Sequence, residues 1–486
     1  MGLGAARSES CVSPDELIVF TGAADHSIRR TIEKPRRKMG AFAKASASQK
    51  VSGAILASVL LGVSVFSVSG CASTSAAAID CETFAAPEAG GTGTTSAEPT
   101  GNTVPDGSEI ELKIGTALPQ TGNLAFLGPP EEAGVSLGIA EVNSAKKGIT
   151  IDAVWGDSGD TDNKAYETEI PRILDAGVSA VIGAASSGTS LQFIDQVTGA
   201  GVIQFSPANT SAALSNYADN GLYFRTAPSD VLQGEVLGNL IASDGIETLG
   251  MIVLNDSYGT GLARFTCEAF TAAGGTVVAA PMYNTGDTSF DAQISSVTAA
   301  APDAIVLITF EEVKTIAPEL IGGGFPAEKV YFVDGNLANY SEDFEPGLLT
   351  GAKGTLPGLD ITTIADFTTR MNDNWVSLGN EDLAEVYAYG PEAYDAVVLI
   401  ALASLEARST EGADIASKLQ EVSGGVEGGT KCTSFAECAD IINDGGQADY
   451  DGVSGPISFD ENGDPTEAEI GIYQYGEDNV AVPFYG

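Results

Sequence analysis

Residues 178–210 read V-S-A-V-I-G-A-A-S-S-G-T-S-L-Q-F-I-D-Q-V-T-G-A-G-V-I-Q-F-S-P-A-N-T, and this stretch decides the fold. Val178–Gly183 is a short run of β-branched and small residues, as a strand buried on both faces requires. Thr189–Thr198 reads as a helix, and Val202–Phe205 is an apolar strand again. A strand, a helix and a strand joined by short turns form a parallel pair with its crossover. The polar turns Ala184–Thr189 and Ser206–Thr210 then fall at the carboxyl ends of neighbouring strands, where open parallel sheets place their ligands.

The rhythm continues in both directions. Upstream lie strands Ile110–Ala117 and Thr150–Trp155 and helices Pro130–Asn143 and Asp162–Ala176. Downstream it restarts with helix Asp230–Ser243, strand Leu249–Leu254, helix Tyr258–Ala273, strand Thr276–Ala280, helix Phe290–Ala300, strand Ala304–Ile308, helix Val313–Gly322 and strand Lys329–Val333. Two such series imply an α/β protein with mainly parallel sheets covered on both faces. A long helix is expected at Tyr389–Ala407, and a closing pair of strands over Gly452–Tyr475. The further strand-end turns are Pro119–Gly128, Asn255–Gly261, Thr309–Glu312 and Asp334–Asn336.

The N-terminal part reads differently. Lys44 and Lys50 precede an uncharged run, Val51 to Val68, that ends in Ser69-Gly70-Cys71. A cationic start, a short apolar middle and small residues before a cut describe a secretory signal. Cys71 after Ser-Gly resembles the lipobox of bacterial lipoproteins, in which the cysteine is acylated and becomes the first residue. On this reading 1–38 is a non-structural extension ahead of Met39, 39–70 is the signal, and the working chain begins at Cys71 on the outer face of the cell membrane. Residues 71–108 are rich in Ala, Thr, Ser, Gly, Pro and Glu, with Phe84 the one large aromatic. Such a composition predicts a flexible tether, reaching on the order of 30 Å.

Loss of the leader removes His26, the only histidine. No Ser-His-Asp or Cys-His nucleophile and no histidine metal ligand remains. The chain carries 23 Lys+Arg against 66 Asp+Glu, a formal charge of −43. That charge repels nucleic acid and anionic lipid. Cysteines are permitted to pair outside the cell. Cys432 and Cys438 enclose five residues and are expected to bridge, while the partners of Cys81 and Cys267 are left open.

Among the turns, Gly259-Thr260-Gly261 approaches the dinucleotide fingerprint, but Arg264 stands where its third glycine belongs. A tight strand-to-helix turn presenting Tyr258 fits better. Ser186-Ser187-Gly188-Thr189 opens a helix, where hydroxyls and free N–H groups serve either an anion or a simple cap. Ser206–Thr210 repeats the arrangement one strand later. Asp334-Gly335-Asn336 ends a strand of the second series and supplies a counter-charge for an ammonium, or is an ordinary Asp-Gly turn. Asp157–Asn163 and Asp460–Asp464 lack the full calcium-loop spacing and read as acidic turns.

Taken together, I-G-T-A-L-P-Q-T-G-N-L-A-F-L-G (114–128), V-I-G-A-A-S-S-G-T-S (181–190), F-S-P-A-N-T (205–210), D-S-Y-G-T-G-L-A-R (256–264), V-D-G-N (333–336), A-Y-G-P-E-A-Y-D-A-V (388–397) and I-S-F-D-E-N-G-D (457–464) resemble the leucine/isoleucine/valine-binding family of ABC-transporter substrate-binding proteins, of the type I periplasmic fold. The resemblance spans about 110 to 480. It implies two αβ lobes joined by three crossings, with 109–227 plus 357–445 in one and 228–356 plus 446–486 in the other. It further implies that Ser187 and Thr210 hold a ligand carboxylate, with Ser186 beside them and the Ala208 backbone in contact. Asp334 would take the α-ammonium and Tyr258 would cover the ligand from the second lobe. Leu127 stands where an aromatic is common, and Phe310 where some members have tyrosine.

The sequence therefore leads to a monomeric, lipid-anchored extracellular binding protein, needing no cofactor or metal. It would deliver a small polar ligand, first an amino acid of branched-chain or other neutral type, to an ABC permease. Alternatives of the same fold are a binder of an amide, urea or an aromatic acid, or a sensor. A secreted carboxylate enzyme is the remote alternative.

Overall fold

The computed structural model describes residues 78–84, 98–105, 107–384 and 386–485, all within one compact unit, Val63–Gly486. The expected extension, signal and Cys71 lie outside the described residues.

Five strands form the first sheet: β1 (Ile110–Ala117), β2 (Ile149–Val154), β3 (Ala180–Gly183), β4 (Ile203–Ser206) and β5 (Tyr223–Arg225). Their order is β2-β1-β3-β4-β5 and every pairing is parallel. Helices α1 (Gly128–Ala145), α2 (Tyr166–Asp175) and α3 (Ser187–Gly199) are the crossovers. The chain then enters α4 (Asp230–Ser243) and builds a second sheet from β6 (Thr248–Leu254), β7 (Thr276–Ala279), β8 (Met282–Tyr283), β9 (Ala304–Ile308), β10 (Val330–Phe332) and β11 (Lys353–Pro357), with α5 (Ser257–Ala272), α6 (Asp291–Ala299) and α7 (Val313–Gly322) between them. These strands are parallel to one another, from β11 through β10, β9 and β6 to β7.

The chain returns to the first sheet through α8 (Ala365–Ser377), α9 (Gly390–Ala407), α10 (Gly412–Val422) and α11 (Phe435–Asn443). Every residue of α9 from Gly390 to Leu405 is buried, because α1 and α10 cover it on either side. From Ala396 to Ala403 it is apolar on every side, and such a helix belongs in an interior. Truncating Leu399 or Ile400 there to alanine removes about 2–5 kcal/mol.

Strands β12 (Thr430–Cys432), β13 (Ala448–Gly452) and β14 (Gly455–Pro456) form a small third sheet. Then β15 (Ile470–Tyr475) and β16 (Ala481–Pro483) add antiparallel strands to the second sheet beside β11. The expected strand pair over Gly452–Tyr475 is therefore divided between two sheets. Ala448, Tyr450, Ile457 and Phe459 pack in the first core, while Tyr473 and Tyr475 pack in the second. Packing thus carries the first body past the expected boundary at 445, because β13 pairs with β12. From Ile110 onward the chain passes between the two bodies three times, after β5, after β11 and between Phe459 and β15, and an earlier passage lies between Phe84 and Val104.

The tether expectation fails over its described part. Phe84 is buried in the second core, Cys81 is bonded to Cys267 of α5, and the Ile79 N–H donates to Val277 O of edge strand β7. Farther on, the N–H groups of Thr100 and Gly101 donate to Asp414 at the start of α10, and the Val104 N–H to Arg408 O. One buried phenyl ring, a disulfide and a few backbone bonds suffice to fix a segment whose composition is otherwise that of a linker. Cys432 is bonded to Cys438.

Candidate functional site

The carboxyl-end turns of the two sheets face each other and enclose one pocket. The first sheet contributes Ser186 and Ser187 after β3, Ala208 and Thr210 after β4, and Leu124 and Leu127 ahead of α1. The second contributes Tyr258 after β6, Phe310 after β9, and Asp334 and Gly335 after β10. All seven pocket residues expected from the sequence, Ser186, Ser187, Ala208, Thr210, Tyr258, Phe310 and Asp334, line this one space. Tyr389, immediately ahead of α9, lines it too. Within 388–397 the sequence predicts for Tyr389 only the start of a helix.

Each turn is pinned by a buried asparagine. Asn209 Nδ2 donates to the carbonyls of Ala184 and Ala185, at 3.0 and 2.7 Å. Asn336 Nδ2 donates to Leu307 O at 2.7 Å and to Thr309 Oγ1 at 2.9 Å. A carboxamide can bridge neighbouring strand ends in this way because it offers two donors from one nitrogen. Ser186 caps α3, accepting from the Thr189 N–H. Ser187 Oγ instead accepts from the N–H groups of Thr210 and Ser211, at 3.3 and 3.2 Å, and so joins the two polar turns.

Behind Thr210 lies Arg225, first in size among the fully buried side chains of the described residues. Its Nε and Nη2 donate to Asp464 at 2.7 and 3.0 Å, Nη1 to the carbonyls of Asn209 and Ser211, and Nη2 also to Ser215 Oγ. All five donors of the guanidinium are engaged. The turn Asp460–Asp464 thus supplies a counter-ion. The turn Asp157–Asn163 holds the loop before α1: Asp157 accepts from Gln120 and Thr121, and Asp160 from Asn123. Among the described residues no group of three or more His, Cys, Asp or Glu is placed to hold a metal ion.

On the opposite wall Asp334 carries the site's charge. Tyr258 Oη donates to Oδ1 and Tyr389 Oη to Oδ2, both at 2.7 Å. Burial pushes its carboxyl above the ordinary value, and those hydroxyls, the Gln233 amide and the Gly335 N–H pull it partly back. Tyr258 stacks on Phe310, with centroids 5.2 Å apart. Gly335 permits this, since a Cβ there would lie 2.8 Å from both Phe310 and Tyr258 Oη.

The two bodies are closed on one another. Ser211 Oγ donates to Ser257 O at 2.8 Å, and Asn123 Nδ2 to Glu312 Oε1 at 3.0 Å. Asp256 caps α5 and approaches Gly188, where a Cβ would meet its Oδ2 at 2.8 Å. Burial pushes the Asp256 carboxyl up to about 7. Chemically, the pocket sets neutral donors from one side against a carboxylate and aromatic rings from the other.

The profile of the periplasmic binding protein family matches residues 111–475. The leucine-binding protein LivK of Thermotoga maritima shares the fold with a TM-score of 0.63 at 21% identity, over 77% of this chain and 98% of that one. BasB of Halobacterium salinarum, a chemotactic signal transduction system substrate-binding protein, is 23% identical over 72% of this chain and 83% of its own length. The leucine-, isoleucine-, valine-, threonine- and alanine-binding protein of Pseudomonas aeruginosa is 30% identical over 38% of this chain and half of its own. The chain belongs to the periplasmic binding protein family, with the type I fold of its solved neighbours.

Proposed function

We propose that this protein is a lipid-anchored extracellular solute-binding protein that captures an amino acid, branched-chain or otherwise neutral, and hands it unchanged to an ABC importer. The observation that carries the reading is the pairing across one pocket of Asp334 with the neutral donors around Ser187 and Thr210. A zwitterion leaving water loses hydration at both ends, so each end needs a partner. Asp334 takes the ammonium. Ser187, Thr210 and the backbone at Ala208, beside Ser186, take the carboxylate. Tyr258 and Phe310 close over the ligand as the bodies meet. Relatives named for amino-acid binding support the ligand class.

A thermal-shift screen of amino acids, amides, urea and aromatic acids tests this. A ligand at 100 times its dissociation constant stabilises by about 2.7 kcal/mol. Stabilisation by neutral amino acids is the expected result, and stabilisation only by amides or aromatic acids overturns it. For the anchor, Cys71→Ala should release the protein to the medium, and unchanged membrane retention rejects the lipid. The kinship with BasB favours a second reading, in which the loaded protein reports to a signalling receptor. Loss of ligand uptake on deleting this gene selects the importer; loss of a behavioural response with uptake intact selects the receptor.

A further inference from the structure

The closed cleft brings an acid of the second body onto a helix end of the first. Asp256 caps α5, its Oδ1 accepting from the Gly259 N–H at 2.7 Å. Its Oδ2 is turned across the cleft and lies 2.8 Å from where a Cβ on Gly188 would be. Gly188 is the second residue of α3 and follows Ser187 of the pocket. Asp256 therefore stands between the N-termini of two helices, one from each body. Capping uses one oxygen. The other is committed to a contact that exists only while the bodies are together.

The ionisable groups that face Asp256 are Glu312 from the loop after β9, Tyr283 of β8 and Asp230 of α4. None of them is a cation. The first turn of α3, Ser187-Gly188-Thr189-Ser190, carries no charge either. Glu312 is committed elsewhere: Asn123 Nδ2 donates to its Oε1, and the Tyr283 hydroxyl and the Phe310 N–H donate to its Oε2. Burial pushes the Asp256 carboxyl up to about 7 and the Glu312 charge adds to that push, against the pull of the Gly259 and Tyr258 N–H groups. A helix N-terminus favours an anion, but at α3 the ligand carboxylate assigned to Ser187 and Thr210 has the first claim. A second anion beside it meets a like charge out of water, and a proton on Asp256 removes the conflict.

We propose that Asp256 is a proton-coupled latch: the bodies close over a carboxylate-bearing ligand as a proton from solvent settles on Asp256, so that mildly acid surroundings tighten capture and alkaline ones loosen it. This rests on the solute-binding reading and adds a regulation of the same site. When the bodies part, Asp256 returns to water, where an aspartate titrates at about 4. Between that value and the one it has in the closed cleft, the closed form holds a proton that the open form lacks. Closure is therefore favoured as pH falls through about 7, and the advantage is lost above it. A helix cap alone would show no such link, since capping is the same in the open and the closed form.

The test is calorimetry on the purified full chain at pH 6 and pH 8, in buffers of different ionisation enthalpy. The probes are the twenty standard L-amino acids and benzoate, a carboxylate without an ammonium. The expected result is that an amino acid binds about tenfold more tightly at pH 6 than at pH 8, taking up close to one proton at pH 6 and almost none at pH 8. Asp256→Asn keeps a capping oxygen but cannot take the proton. It should abolish the uptake and bind at pH 8 at least as tightly as the wild type. Asp230 and Asp334 are common to both proteins, so their titration cancels in the comparison. An Asp256→Asn protein with the wild-type pH profile and proton uptake overturns the latch but leaves the amino-acid reading standing. Binding of benzoate alone, with an uptake that Asp256→Asn abolishes, upholds the latch and overturns that reading. Binding of none of the probes overturns both. Should Asp256→Asn not fold, the wild-type protein decides: no uptake, or net release, at pH 6 overturns the proposal.

Discussion

Tyr389, at the last position before α9, donates its hydroxyl to Asp334 Oδ2 at 2.7 Å. One residue is set by the helix at the heart of the first body and the other by the end of β10 in the second. The bond therefore exists only when the two bodies have met, and it holds the carboxylate in the orientation that Tyr258 fixes from the other side. A charge-assisted hydrogen bond contributes about 1.5–3 kcal/mol net. Tyr389→Phe should speed ligand release about tenfold or more, with a smaller change in association. Stopped-flow fluorescence reads both rates, and an unchanged off-rate rejects the latch.

Ligand affinity should fall in a defined order. Asp334→Ala removes the one charge lining the pocket and should weaken an α-amino acid at least about 10- to 100-fold, at about 1.4 kcal/mol per tenfold. Ser187→Ala and Thr210→Ala should each cost less, because backbone donors remain at both turns. Isothermal calorimetry gives the order, and a serine or threonine effect exceeding that of Asp334 reverses the assignment of the two ends.

Gly335→Ala places a methyl group 2.8 Å from the Phe310 ring and from Tyr258 Oη. Overpacking of this kind costs about 1–3 kcal/mol. Since the displaced atoms line the pocket, affinity should fall along with stability, and Tyr258→Ala in the same background should recover stability without recovering affinity. Denaturant melts paired with calorimetry make the comparison.

Arg225 and Asp464 form a buried pair, with the arginine side chain fully inaccessible. Removing one partner of such a pair costs about 3–5 kcal/mol. Asp464→Ala should therefore lower the urea midpoint strongly and loosen Thr210 as well, because Arg225 grips the carbonyls on either side of it. A surface-like change of under about 0.5 kcal/mol is the contrary outcome.

Ligand-free stability depends on pH through several buried carboxyls. Desolvation pushes Asp256 up to about 7, Glu392 to about 8, and Asp219 and Asp395 each to about 6. In the unfolded chain these carboxyls titrate near 4. Between about pH 4 and 8 the native state thus holds more protons than the unfolded state, so stability falls as pH rises through that window. Melting temperature without ligand should be higher at pH 5 than at pH 8, and the reverse trend in calorimetric scans rejects these burial effects as dominant.

Much of this was legible in the sequence, for identifiable reasons. Asp230–Ser243 and Val313–Gly322 were expected with the bounds they have, and β1 and β9 likewise, because apolar runs there stop at turn residues. The polar turns were visible for the same reason: an apolar strand makes its hydrophilic end conspicuous. Strand β5 was not, since it has three residues and one of them is Arg225. A charged residue reads as surface until Asp464, 239 positions away, is brought beside it. The partner of Cys81 had no local pattern at all, and only the fold supplies it.

That last bond, Cys81 to Cys267, shortens a leash. With the proposed lipid on Cys71, the folded body is met at Ile79 to Cys81, at most ten residues on, rather than after the whole of 71–108. At about 3.3–3.6 Å per residue when fully extended, ten residues reach no more than about 36 Å. The protein would then ride low over the membrane, moored by the flank of α5, with the body bearing Tyr258 and Asp334 nearest the lipid. Cutting the bond would let out line and raise the mooring point without touching the pocket.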